Sequence, residues 1–108
     1  MVKFRSNLDT TFAALSSKTR REILRSVASG ERRAMDLAKP FKVTLPAISK
    51  HLRVLEDAGL IRRRKVGREH LFTLNPKPMK AASDWMIEYR RFWSGSLDRL
   101  ANYLDNES

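Results

Sequence analysis

The chain has no cysteine. Disulfides, thiolate metal sites and a cysteine nucleophile are therefore excluded, and a reducing compartment is the natural setting. No run of about 18 apolar residues occurs, and no apolar stretch follows a basic start, so neither a transmembrane span nor a secretory signal is expected. These absences point to a cytoplasmic protein with no membrane partner. Internal repeats and low-complexity stretches are also lacking. There is no Gly-rich phosphate loop, no carboxylate pair flanked by histidine and no nucleophile motif, so enzyme chemistry has no residues to work with. Histidine is limited to two residues, His51 and His70.

What remains is a chain of 108 residues that is 42% apolar, enough for one domain with a modest core. Its strongest feature is charge. Lys and Arg number 22 against 12 Asp and Glu, a net of +10. Residues 1–75 hold 17 basic and 7 acidic side chains, whereas residues 76–108 hold 5 of each. All of the excess thus lies in the first three quarters. Solubility would explain the total but not this partition. A basic module joined to a neutral tail implies a polyanion for the module and a separate task for the tail.

Apolar spacing predicts a short amphipathic helix over residues 7–15, built on Leu8, Phe12 and Leu15. Ser17 is placed to cap a second helix over 18–28 with Ile23, Leu24 and Val27 inward and Gly30 as its stop; Thr19 and Glu22 offer an alternative capping box. A short helix over 34–39 is expected to end at Pro40. Thr44 is placed to cap a fourth helix over 45–58, with Leu45, Ile48, Leu52 and Leu55 as its core stripe and Gly59 as its stop. Residues 61–65 and 69–74 read as two strands around Val66-Gly67-Arg68. The run Asn75-Pro76-Lys77-Pro78 reads as a break, and residues 79–104 as one long helix with Gly95 inside it.

The third and fourth helices with their short connection form a helix-turn-helix candidate. In that motif the second helix enters the major groove, which is about 12 Å wide. Such a helix needs small or donor-bearing side chains near its N-terminus, off the core stripe. Pro46, Ala47, Ser49, Lys50 and Arg53 meet that condition, and His51 borders both faces. Pro46 and Ala47 suit thymine methyls, Ser49 a base or phosphate, and Lys50 and Arg53 guanine or phosphate. A solvated helix back would look the same in isolation. The hairpin that follows favours the groove-bound reading: Arg62, Arg63, Arg64, Lys65 and Arg68 place five cations in seven residues around Gly67. A tip of that kind suits phosphates or the minor groove, although arginines also guard an edge strand against aggregation.

The segment TLPAISKHLRVLEDAGLIRRRKVGREHLFTL resembles the DNA-binding core of the ArsR/SmtB family of winged-helix repressors. That family's pattern is a Ser or Thr, two variable positions, then A-[VI]-S-x-H-L-x-x-L-x-x-A-G-L-[VI]. Here Thr44, Ala47, Ile48, Ser49, His51, Leu52, Leu55, Ala58, Gly59, Leu60 and Ile61 carry it. Upstream, LSSKTRREILRSVASGE is similar to the family's second helix, with Lys18 where proline is common. The resemblance covers residues 7–74. It implies a mainly α winged helix-turn-helix with about five helices and a two-stranded β-hairpin wing. Residues 7–75 would be the DNA-binding core and 79–104 a C-terminal dimerisation helix. It also implies that Pro46, Ala47, Ser49, Lys50 and His51 face DNA from the recognition helix and Arg64, Lys65 and Arg68 from the wing. Thr44, Leu45 and Arg53 on the helix and Arg62 and Gly67 on the wing are expected beside them. Leu45 departs from the glutamine common at its position, so one base contact is lost or becomes apolar.

Founding members of that family sense metal ions. Here Arg33-Ala34-Met35-Asp36-Leu37 replaces one metal site, and residues 79–104 hold no histidine where the other would lie. Asp84, Glu88 and Asp98 are too sparse for a tetrahedral site rich in nitrogen. No metal and no cofactor is expected, and a metal-responsive repressor with an atypical, oxygen-only site stays as an alternative. The apolar arc of the tail is too wide for one side of so small a domain. That width favours an interface, and the resemblance implies a homodimer through the first and last helices. Leu8, Phe12, Trp85, Tyr89, Phe92, Trp93, Leu97 and Leu100 are its expected residues. The whole implies a nucleoid-associated homodimeric repressor on double-stranded DNA with an inverted-repeat operator and an unidentified effector. A sequence-indifferent architectural DNA-binding protein is the other alternative.

Overall fold

Helix stops and starts fix the path of this chain more than strand pairing does. The computed structural model describes residues 2–107, with side-chain surroundings from residue 7 onward, and contains five α-helices and three strands. They are α1 (Val2–Ala14), α2 (Lys18–Ala28), β1 (Arg32–Arg33), α3 (Ala34–Ala38), α4 (Leu45–Asp57), β2 (Ile61–Val66), β3 (Glu69–Leu74) and α5 (Pro76–Glu107). A 3-10 turn, Lys39–Phe41, extends α3.

Ser17 caps α2 by accepting the Arg20 N–H at 3.3 Å, so the capping box at Thr19 is not used. α4 ends in a full Schellman closure. Gly59 N–H donates to Glu56 C=O at 2.9 Å, and Leu60 N–H to Leu55 C=O at 3.0 Å. Gly59 holds φ +74°, which a side chain would strain, and Leu55 and Leu60 are both fully buried beneath the turn.

The core gathers Ile23, Leu24 and Val27 of α2, Leu37 of α3, Ile48, Leu52 and Leu55 of α4, Ile61 of β2 and Phe72 of β3. α1 adds Ala14 to it. α5 lies on α1 and, of its 32 residues, buries only Ala82. The long last helix is therefore attached to the domain rather than built into its core.

The α-helical part of α3 stops at Ala38, just short of Pro40 as expected, and the chain then tightens into the 3-10 turn and stops at Lys42, whose φ is +53°. A proline near the start of such a turn loses no hydrogen bond. The run 75–78 is not a break. α5 begins at Pro76, and both prolines fall in its first turn, where N–H groups lack intrahelical partners. The expected two-stranded wing is present as β2 and β3, and a third strand joins it in the order β1-β3-β2, because Arg32 and Arg33 pair with Phe72 and Leu71. Finally, Leu45 is outside the core stripe: it is 46% exposed, while Ile48, Leu52 and Leu55 are at most 1%.

Candidate nucleic-acid interface

The outward face of α4 is fixed by what lies beneath it. With Ile48, Leu52 and Leu55 fixed in the core, helical geometry sends Pro46, Ala47, Ser49, Lys50 and Arg53 outward, and all five are exposed. Thr44 Oγ1 accepts the Ala47 N–H at 3.4 Å. No carboxylate occupies the first turn, so the positive end of the helix is free for an anion. His51 differs from its neighbours. It is half-buried, and its Nδ1 lies 3.3 Å from Arg20 Nη1. A guanidinium only donates, so Nδ1 accepts and the ring proton resides on Nε2. Arg20 also donates to Ala14 C=O at 2.7 Å and Ala13 C=O at 3.1 Å. One arginine thus ties the end of α1 to the recognition helix, a role the sequence pattern did not signal.

β2 and β3 form the wing. Ile61 pairs with Leu74 and Val66 with Glu69, and Gly67 and Arg68 make the turn. Gly67, at φ +62°, is the first central residue, where a primed two-residue turn requires positive φ. The wing cations divide into two groups. Arg63 donates twice to Glu56, at 2.9 and 3.2 Å, with its guanidinium 5.1 Å over the Phe72 ring. Arg64 donates twice to Glu31, at 2.8 and 3.2 Å. Arg62 donates to Asn75 Oδ1 at 3.3 Å. Lys65 and Arg68 at the tip pair with no carboxylate among the described residues. The same is true of Lys42, Lys50 and Arg53 around α4.

These ion pairs shift the groups that make them. The hydrogen bonds from Arg64 hold the Glu31 carboxyl below its ordinary value. Arg33, which also reaches Glu69 at 3.1 Å, does the same to Asp36. His70 is half-buried on β3, with its Nδ1 buried and unpartnered among the described residues. No group of three or more His, Asp or Glu among the described residues is placed to hold a metal ion.

Aromatic side chains run along the other end of the molecule. Phe12 of α1 meets Trp85 edge-on at 5.6 Å, Trp85 stacks on Tyr89 at 4.7 Å, and Trp93 lies 5.9 Å from Tyr89 and 5.3 Å from Phe92. Trp85, Tyr89, Phe92, Trp93, Leu97 and Leu100 stay 37–76% exposed. Leu8 is half-buried.

A family model described as "Bacterial regulatory protein, arsR family" matches residues 17–63, from the cap of α2 into β2. The chain is also 33% identical over 99 residues to the HTH-type transcriptional regulator Rv2034 of Mycobacterium tuberculosis, spanning 92% of this chain and 90% of that protein. The chain belongs to the ArsR family. It is 32% identical over 82 residues to the transcriptional repressor SdpR of Bacillus subtilis, covering 76% of this chain and 91% of the relative. Among solved structures, that of an ArsR family transcriptional regulator superposes with a TM-score of 0.78 at 36% identity, over 83% of this chain and 93% of the other. A homodimeric winged helix-turn-helix DNA-binding domain from Mycobacterium bovis shares the fold, with a TM-score of 0.69 at 19% identity over 86% and 88% of the two chains. As an ArsR family member this protein is a transcriptional regulator with a winged helix-turn-helix fold, and its relatives are regulators rather than enzymes.

Proposed function

We propose that this ArsR family regulator is a homodimeric repressor that binds double-stranded DNA at an inverted-repeat operator. α4 lies in the major groove, and the wing tip rests on the neighbouring backbone. The observation that carries this reading is one surface: the outward face of α4, presented by a buried stripe and accompanied by Lys50, Arg53, Lys65 and Arg68 without acidic partners. Thr44, Pro46, Ala47, Ser49 and Lys50 serve as the reading turn, with His51 contributing through Nε2. Lys65, Gly67 and Arg68 serve as the clamp. Arg62 and Arg64 act in the clamp only if DNA phosphates replace Asn75 and Glu31.

Residues 7–75 make up the DNA-binding part, and the exposed aromatic face of α1 and α5 joins two copies. Two-fold symmetry then sets the recognition helices about 34–36 Å apart. Footprinting on the DNA upstream of the protein's own gene tests the reading. A protected inverted repeat is expected. Lys50→Ala should relax base preference within that site, whereas Arg68→Ala should weaken specific and random DNA alike. Uniform protection without a preferred site would instead make the protein an architectural binder.

A further inference from the structure

The N-terminal turn of α4 is poor in groups that read bases by hydrogen bonding. Residues 43–47 read Val-Thr-Leu-Pro-Ala, and the Thr44 hydroxyl is engaged in capping. Ser49 and Lys50 are the first free polar side chains. No Asn or Gln occurs between Val43 and Arg53, so nothing on this helix can make the bidentate contact to adenine. What the turn presents instead is hydrocarbon. Leu45 is 46% exposed, Val43 42% and Met35 65%, and Pro46 and Ala47 are exposed beside them.

Leu45 and Met35 line one cleft of about 270 Å³, whose wall also carries Arg33, Lys39 and Arg68 and the carboxylates Asp36 and Glu69. Lys39 pairs with Asp36, and Arg33 with both carboxylates, so Arg68 is the cation there without a carboxylate partner among the described residues. Exposed hydrocarbon beside that arginine, with Lys50 and Arg53 exposed on the same helix, is the complement of methyl groups recessed between phosphates.

We propose that the first turn of α4 reads thymine, with Leu45, Pro46 and Ala47 packed on thymine C5-methyl groups in the major groove. Met35 and Val43 continue that apolar surface and exclude water from its edge. The proposal rests on the DNA-binding reading above and adds the base that is read.

The full-length protein is used to enrich duplexes from a random pool, and the best duplex is synthesised with thymine or with uracil, which lacks only the methyl. Enriched sites should carry thymine in both half-sites. Each contacted methyl removed should weaken binding about fourfold, or roughly 16-fold for one methyl per half-site. Leu45→Ala, at an exposed position, should bring the thymine-to-uracil ratio toward one, and Leu45→Gln should move preference from thymine toward adenine. Arg68→Ala, which weakens all duplexes alike, should leave the ratio unchanged. Equal affinity for thymine and uracil duplexes overturns the proposal, as does a ratio that survives both Leu45→Ala and Ala47→Gly. If no duplex is enriched over random DNA, the operator reading itself fails, and thymine reading fails with it.

Discussion

Phe72 joins two parts of the molecule through one ring. It is 1% exposed within the core, and the Arg63 guanidinium lies 5.1 Å over it, so it supports both the α4 stripe and the wing. Phe72→Ala is expected to cost about 3–5 kcal/mol, a large share of a small domain's stability. Urea unfolding at fixed protein concentration measures it, and a loss under about 1 kcal/mol would contradict this placement. Glu31 is a different case. Its pairing with Arg64 lowers the carboxyl below the ordinary value of 4.5, so the unfolded chain holds the proton more tightly. The stabilisation is full above that ordinary value and fades as pH falls through the folded one. Wild type and Glu31→Gln should therefore differ in melting temperature near neutrality and converge in acid. Curves that stay parallel would show that the pair does not contribute.

At the scale of elements, α4 and α5 illustrate two uses of an apolar face. In α4 the stripe is consumed by the core, which fixes the helix's rotation and hence which residues face outward. In α5 most of the apolar surface finds no partner within the chain. Exposure of that extent on one helix calls for a covering surface. Trp93 is 37% exposed and sits between Tyr89 and Phe92, so Trp93→Ala should leave the fold intact and shift sedimentation toward monomer. An unchanged dimer would remove Trp93 from the interface. The α4 register was readable because a helix has one phase and its stripe declares it. Leu45 has the spacing of the stripe but occupies the first helical position, one turn before Ile48 and two before Leu52, beyond the reach of the core. β1 was unreadable because two arginines carry no alternation, and only pairing with β3 makes them a strand.

For the whole molecule, the net charge of +10 overstates what is available to DNA. Arg62, Arg63 and Arg64 are engaged by the protein itself, through Asn75, Glu56 and Glu31. Exposed pairs of this kind add little stability, but they occupy the donors of these arginines. Around α4 and on the wing, Lys42, Lys50, Arg53, Lys65 and Arg68 remain without a carboxylate partner among the described residues. If all five per protomer meet phosphate in a dimer, the slope of log affinity against log salt should reach about −9 and go no steeper. Fluorescence anisotropy between about 50 and 200 mM salt measures it. A slope near about −14 would show that the three arginines leave their partners when DNA arrives.

Taken by itself, the sequence determined the order of the helices, the face of α4 that points outward, the hairpin and its glycine turn, and the one-sided placement of charge. All of these follow from local rules: helical period, capping, positive φ and the count of charges along the chain. Tertiary structure decided the rest. Arg64 and Glu31 are 33 residues apart, and Arg20 and His51 are 31 apart, so no local pattern pairs them. Which wing cations stay free, which edge of His51 is occupied, and whether Leu45 lies in the core or on the surface depend on how distant elements come to rest against each other. A residue's type fixes the contacts it is able to make, and only packing selects among them.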